Sequence, residues 1–455
     1  MRLFEIKNTQ PRWQRLNEAD EKATHLEHLE DEIFNKGYVG ALEAFNYIEG
    51  LKRMLSKEGV GDSTRVTVKW DGSPAIHCGV DPEDSKFFIG TKSVFSKNAK
   101  LCKTNKDIDN WYGDVPELAA TLKACLQYLP KLGITDVIKG DLLFVRGTAR
   151  DLVEQEINGK KYLTFTPNTI TYAVDLETQS DLARQMQAAK MGIVFHTVYH
   201  WTPPSAADQE ERSEEGKEPL KDYPNLPDMK AHFRFNPSSL QHIRDVWWDD
   251  AYYEDMTGIA TLTPSEVKRV ESQLNRVAVI FSKIDPAVFD KFLGTGNAKT
   301  SDFVTYIKPF INTKVQQGQM QVSSAIEFLK EFQDYVEQKM QAEISKLKGG
   351  AESTAAQARL ERVEEIKKFI ADNSNTLLSI LALYKKAVEL KLFFIKKLQM
   401  IESTVGTFIK TEDGYKVTKP EGFVAVGGDG QVVKLIDRLE FSRANFQQSK
   451  NRNSA

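Results

Sequence analysis

The chain has 455 residues, 41% of them hydrophobic and 27% charged, with 61 basic against 64 acidic side chains for a net charge of −3. That length suits two or three domains of roughly 100 to 200 residues and a sizeable core, so a globular protein is expected. The near-neutral total excludes a wholly basic nucleic-acid binder and names no partner, although a local basic face remains open to it because phosphate attraction depends on where the cations sit.

The amino-terminal stretch MRLFEIKNTQPRWQRLNEADEK lacks the apolar centre of a secretory signal. The longest apolar run, Leu377 to Tyr384, falls well short of the roughly 18 to 20 residues a membrane span requires. A cytoplasmic protein with no membrane partner is the expectation. Cys78, Cys102 and Cys125 lack the paired spacing of a zinc site or a disulfide framework and read as inert thiols in a reducing compartment.

In chain order, residues 1–60 read as a helical segment, with Leu42, Phe45, Ile48 and Leu51 at three-residue steps before the turn signal Glu58-Gly59-Val60-Gly61-Asp62. From Thr64 the pattern changes to short β-type runs: RVTVKW, AIHCGV, KFFIGT, DVIKGDLLFV, KYLTFT, NTITYAV and MGIVFHTVY, with a helix near Pro116 to Leu129. Strands mixed with helices, without regular βαβ alternation, predict an α+β domain on antiparallel sheet over 61–203. The polar stretch PPSAADQEERSEEGKEP reads as a linker.

A helical insertion is assigned to 204–410, with the helices themselves read from about Thr263 to Gln399, where Thr263, Pro264 and Glu266 mark a helix start. Val322, Ile326, Leu329, Phe332, Val336 and Met340 form an apolar stripe, read as packing core. Closing strands follow at 411–446, with GGDG as a hairpin turn, and 447–455 is a flexible tail.

The chemistry centres on Lys69-Trp70-Asp71-Gly72, at the end of the strand RVTVK, where a strand-to-turn transition can present an amine to a pocket. Alone this is a common Asp-Gly surface turn. It gains weight from a second block, Glu421-Gly422-Phe423-Val424, followed by Lys434 in the run Val432 to Arg438. A lysine amine becomes nucleophilic when neighbouring cations, a metal or desolvation lower its pKa. Attack on a phosphorus then gathers charge on the phosphoryl oxygens, which fixed cations and a carboxylate-held divalent metal stabilise. Lys434 and Lys92 suit the first role, Glu421 and Asp141 the second.

KxDG, a middle strand ending in Gly-Asp (Lys139-Gly140-Asp141), then EGFV and a lysine in a closing strand resemble, in order, the motifs of ATP-dependent RNA and DNA ligases and mRNA capping enzymes. Gly90-Thr91-Lys92-Ser93 is similar to the short basic motif that follows the nucleophile. The segments HLEHLEDE, KWDGSPAI and GTKSVF also resemble ligase-like proteins of tailed bacteriophages.

The resemblance implies an antiparallel-sheet nucleotidyltransferase domain, interrupted by the helical insertion, that uses ATP and Mg²⁺. Lys69 would form a lysyl-AMP, Lys434 would hold the α-phosphate, Asp141 would contact the ribose or a metal water, and Glu421 would support Mg²⁺. Asp71 and Gly72 would complete the nucleophile turn, and Tyr172 or, second, Phe195 would stack on the adenine.

Too few residues follow Arg438 for a C-terminal OB domain, which favours an RNA-ligase-like architecture. Asp141 stands where many ligases have Glu, and Thr67 and Val68 replace an acidic residue often used to read adenine. The implied activity is joining 5′-phosphate to 3′-hydroxyl ends, of RNA rather than DNA. Two alternatives stay open. One is another nucleotidyl transfer, such as capping, DNA ligation or protein modification. The other is a catalytically silent ligase-like phage structural or binding protein, with the insertion as its protein-partner surface.

Three further constellations read more simply as structure. His25 and His28 at i, i+3 beside Glu27, Glu30 and Asp31 suit a metal on one helical face, but no matching second pair exists and a solvated helix start is favoured. His196 and His200 flank Tyr199 and read as core or surface histidines. Lys385, Lys386, Lys391, Lys396 and Lys397 with Phe393 and Phe394 could line a nucleic-acid groove, against the more frequent charged helix face.

Overall fold

The computed structural model describes residues 27–56, 65–96, 98–200, 226, 229–232, 240–249, 261–293, 302–347, 350, 352–401, 405–412, 414–426, 432–440 and 442. The polar linker, the turn at 58–62, the GGDG turn, the tail after 446, and His25 and Leu26 lie outside them. The described chain is mixed α+β with antiparallel sheets.

Three sheets organise it. The first joins β1 (Arg65–Val68), β13 (Phe423–Val426) and β14 (Val432–Leu435) in the order β1-β13-β14. The second follows the order β10-β8-β4-β2-β3, made from β2 (Ala75–Val80), β3 (Phe87–Gly90), β4 (Val137–Val145), β8 (Met191–His200) and β10 (Val246–Asp249), with β9 (Lys230–His232) pairing on β8. The third runs β12-β11-β7-β6-β5, from β5 (Val153–Ile157), β6 (Lys160–Phe165), β7 (Thr171–Asp175), β11 (Val405–Thr411) and β12 (Gly414–Val417). All described pairings are antiparallel except β8 with β10.

Each β-type run named from the sequence overlaps one of these strands, because alternation of apolar and polar positions puts one face on a core. On β2 and β4, Ile76, Cys78, Ile138 and Leu142 face a core closed by the helix Pro116–Tyr128 through Leu122 and Cys125. The three cysteines are free and buried, and burial pushes the Cys125 thiol up to about 12 and Cys102 to about 11, as inert thiols require.

The helices group differently from the sequence plan. The described helices of this region lie between Pro264 and Leu398, matching the helical pattern read from about Thr263 to Gln399, whereas 204–410 as a whole is not helical: β9 and β10 extend the second sheet and β11 pairs with β7. Nor do the described residues of 1–60 form a separate unit. The helix Gly37–Leu55 buries Ala41, Ala44, Phe45, Ile48 and Leu51 in one core with Leu274, Phe281, Phe332, Ile380 and Phe394 of the later helices. That core also takes in Val66, Val68, Phe423, Ala425, Val433 and Leu435 of the small sheet.

Local signals set the ends of these helices. Thr263 and Glu266 make a reciprocal capping box with Pro264 in the first turn, satisfying backbone donors that the helix itself leaves open. Val322, Leu329, Phe332, Val336 and Met340 of the predicted stripe are buried, whereas Ile326 is 71% exposed and lies off it. No helix among the described residues is long and apolar enough to cross a membrane.

Candidate functional site

The small sheet has two unlike faces. Val66, Val68, Phe423, Ala425, Val433 and Leu435 point into the helical core. By alternation Thr67, Val424 and Lys434 point the other way, and they lie in register, Thr67 opposite Val424 and Val424 opposite Lys434. His28 extends this row through a bridge to Lys434, whose backbone N–H donates to the Glu27 carbonyl at 3.0 Å.

Lys69 comes two residues after Thr67. Its backbone N–H donates to the Gly422 carbonyl at 3.0 Å, which prolongs the β1–β13 pairing and brings Glu421 beside it. Gly422 is required there, since a Cβ would stand 2.6 Å from the Leu435 carbonyl oxygen. The Lys69 ammonium hydrogen-bonds the Glu421 carboxylate across 352 residues of sequence. The lysine side chain is 26% exposed and the glutamate 9%.

The turn after Lys69 is clamped from two sheets. The Asp71 N–H donates to the Tyr172 hydroxyl at 2.7 Å, and its carboxylate accepts from Asn168 Nδ2 at 3.0 Å and Thr169 Oγ1 at 3.3 Å. The Ser73 N–H donates to the Leu142 carbonyl at 2.8 Å, the Leu142 N–H returns to Pro74 at 3.1 Å, and Arg150 donates to the Ser73 carbonyl. A Cβ on Gly72 would lie 2.7 Å from the Asp141 Cβ, so only glycine lets the turn approach β4 this closely.

β4 brings Lys139 and Asp141 out on one face. Opposite them β8 carries one extra residue between the pairs Lys139 with Thr197 and Gly140 with Phe195, a bulge that turns His196 toward Asp141. His196 Nε2 lies 3.4 Å from Asp141 Oδ2, and its Nδ1 lies 2.7 Å from Thr197 Oγ1.

The charges of these groups act on one another. Burial works to lower the Lys69 pKa, but Glu421, with Asp141 and Asp71 behind it, outweighs burial and holds the amine above the ordinary lysine range. Burial raises the Glu421 carboxyl against the pull of Lys69. Asp141 is opposed by burial yet held low by His196, Lys139 and Lys69. Burial and neighbouring cations lower both Lys139, beside Lys69 and Lys92, and Lys434, beside Lys69. His77, on the same sheet face, is pushed down to about 3 by burial, with Lys139 and His196 adding to it. The result is a cation-rich surround with one carboxylate already committed to the central amine.

Of the residues singled out from the sequence, Lys69, Asp71, Gly72, Asp141, Glu421 and Lys434 converge here. Lys92 sits on the exposed turn Lys92–Phe95 after β3, where its charge is felt at Lys139 and His77. Tyr172 and Phe195 take other places than a stacking platform. Both are fully buried, Tyr172 packed with Trp70 and Phe165 and Phe195 near Trp248, so neither ring offers an open face to a base. The Tyr172 hydroxyl instead holds the Asp71 turn.

The lysine-rich helix also departs from a nucleic-acid groove. Lys391 is sealed against Glu30, Lys386 pairs with Glu389, Lys397 with Glu266, and Phe394 is buried. His28 belongs to the edge of the small sheet rather than to a helix face.

Lys139, His196 and His28 join the site without having been singled out for it. Lys139 was within reach, since a strand period of two places it on the face of Asp141. The bulge that aims His196 and the bridge that seats His28 leave no local sequence signal.

Among the described residues no group of three or more His, Cys, Asp or Glu side chains could hold a metal ion. Glu421 and Asp141 are two carboxylates acting on one amine, a donor set too small for a closed protein cage but of the oxygen type that Mg²⁺ takes in part from the protein.

No curated protein and no solved structure matches the chain. A family model does, over residues 21–218 and 219–450. The chain belongs to the family that this model defines, described as a family of unknown function (DUF6267).

Proposed function

We propose that this protein is a covalent nucleotidyltransferase of the ATP-dependent polynucleotide ligase type, acting on RNA ends, with Lys69 as the nucleophile. The observation that carries the reading is the Lys69–Glu421 contact, made at the junction of two sheets under Lys434 and beside Asp141. The order of motifs along the chain supports the same reading.

At rest Lys69 is an ammonium and no nucleophile. Attack requires Glu421 to release it and a proton to leave. Lys139 and Lys434, partly buried and in no ion pair among the described residues, then favour the neutral amine. Lys69 Nζ bonds to the α-phosphorus of ATP, the bond from that phosphorus to the bridging oxygen breaks, and pyrophosphate leaves with the electron pair. The nitrogen loses its second proton to give the phosphoramidate. A 5′-phosphate oxygen next attacks the nucleotide phosphorus, the P–N bond breaks and Lys69 leaves as the amine with a proton taken up. A 3′-hydroxyl, giving up its proton, then attacks the 5′-phosphorus, and AMP leaves with the electron pair as the phosphodiester forms.

Lys434 and Lys139 face the charge that develops on the phosphoryl oxygens. Glu421 and Asp141 are the residues that would hold Mg²⁺, which supplies charge neutralisation on the phosphates when bound. Asp141, kept ionised and aimed by His196, is placed for the ribose or a metal water. Tyr172, Asn168 and Thr169 act as positioning residues through Asp71.

The test is retention of label on the denatured chain after incubation with α-labelled ATP or GTP and Mg²⁺. An adduct that disappears in Lys69→Ala is the expected result. No adduct with either nucleotide, or one unchanged in Lys69→Ala, would overturn the reading. Nicked RNA and DNA duplexes supplied to the adduct separate ligation from other transfers.

A further inference from the structure

Among the described residues, two polar atoms on the outward face of the small sheet, Thr67 Oγ1 and His28 Nδ1, are buried without a hydrogen-bond partner. An orphaned buried polar atom costs about 1–3 kcal/mol, so its persistence calls for a compensating contact. His28 is the more informative of the two because of its neighbour. It pairs in register with Lys434, and paired positions of neighbouring strands send their side chains to the same face. Lys434 is itself partly buried and makes no ion pair within 4.0 Å among the described residues, the carboxylates of Glu27 and Asp31 acting on it only from farther off.

The backbone beneath this pair is anchored with unusual completeness. Glu30, two residues after His28, receives Lys391 Nζ at 2.6 and 2.7 Å. Asp31 receives Arg438 Nη1 at 2.9 and 3.1 Å and the Tyr384 hydroxyl at 3.2 Å. Arg438 and Lys391 are thereby committed, whereas Lys434 and the His28 ring remain available. Burial and the cations Lys391, Lys434, Arg438 and Lys69 keep the imidazole neutral, in which form one ring nitrogen donates.

We infer that the amino-terminal segment completes the site, with His28 Nδ1–H and Lys434 Nζ forming a subsite for the terminal phosphates of a nucleoside triphosphate and the pyrophosphate that leaves. A compact polyanion with several acceptor oxygens satisfies the orphaned nitrogen and the unpaired lysine together, while Lys69 marks the side from which the α-phosphorus is approached. This inference rests on the reading of Lys69 as the nucleotide-accepting amine, but binding of pyrophosphate needs no chemistry and is measured separately.

Inorganic pyrophosphate is titrated by calorimetry into the full chain, His28→Ala and Lys69→Ala, with thermal unfolding checked for each. Wild type binds, and His28→Ala binds about tenfold or more weakly, the loss of one hydrogen bond to a charged group. In the wild-type chain labelled with ¹⁵N-histidine, the His28 Nδ1 resonance, assigned through its absence in His28→Gln, moves on addition of pyrophosphate. Equal affinity of His28→Ala and wild type, a resonance that stays still, or no binding by wild type overturns the inference.

The two readings fail separately. His28-dependent binding without a Lys69 adduct sinks only the transfer reaction. An adduct with pyrophosphate binding indifferent to His28 sinks only the subsite.

Discussion

Two lysine–glutamate pairs tie distant parts of this chain together, and their surroundings differ. Lys391 and Glu30, 361 residues apart, are 1% and 0% exposed, and Gln321 and Arg438 also approach the carboxylate. Lys69 and Glu421, 352 residues apart, are 26% and 9% exposed, with Lys434 and Lys139 nearby and unpaired among the described residues. The first pair is saturated and sealed, which makes it a fastener. The second is reachable and set among excess cations, so an incoming anion has both an entry and a reason to stay.

The largest effect that separates the two pairs is chemical. Lys69→Ala is expected to remove labelled adduct altogether while the chain stays folded, read from gel label and far-UV circular dichroism side by side. Stability gives the converse. Lys391→Met strands a buried carboxylate and should cost about 3–5 kcal/mol in denaturant unfolding, most of it recovered by the further change Glu30→Leu. A Lys391→Met no more costly than Lys69→Met would erase the distinction between fastener and site.

A smaller loss is expected at the turn. Gly72→Ala forces a Cβ toward Asp141 and should cost about 1–3 kcal/mol, with adduct formation falling more than stability because the Lys69 turn moves. Equal losses in the two measurements would show that the turn only supports the fold.

The most delicate comparison is in pH. Lys69 has its folded pKa raised, so the stability its pair contributes is fully present below the ordinary lysine value and is lost as pH rises through the folded one. Glu421→Gln removes the principal raising influence, leaving burial and cations to lower the amine. Unfolding midpoints of the wild type should therefore fall relative to Glu421→Gln as pH climbs through the raised value. Titration of the Lys69 side chain by NMR should show a lower midpoint in the variant. Coincident titrations would mean that the pair does not control the amine.

Much of this site could be read locally. Strand runs ending at Lys69, containing Asp141 and following Glu421 all formed, since alternation and turn residues are properties of a few neighbours. Lys139 was readable by the same period and passed over. Tyr172 was misassigned because a strand aromatic looks the same whether its ring meets a ligand or a core. Its burial and its bond to Asp71 follow from how the third sheet packs on the turn after Lys69. His196 depended on a bulge in β8, and a single extra residue shows itself only against the partner strand. The helices between Pro264 and Leu398 were legible from their period, whereas β9, β10 and β11 are strands by virtue of their edges on β8 and β7.

The sequence by itself determined the repertoire: which runs pair as strands, where Thr263 starts a helix, and that Lys69, Asp141, Glu421 and Lys434 stand on strands or at their ends. Only the tertiary structure decided their company. A strand's alternation says that its two faces differ, but which face meets the core is set by the helices that cover it. Here the helices Gly37–Leu55 and those between Pro264 and Leu398 take the apolar face of the small sheet. That leaves Thr67, Lys69, Lys434 and His28 on the other, and brings residues from both ends of the chain to one amine.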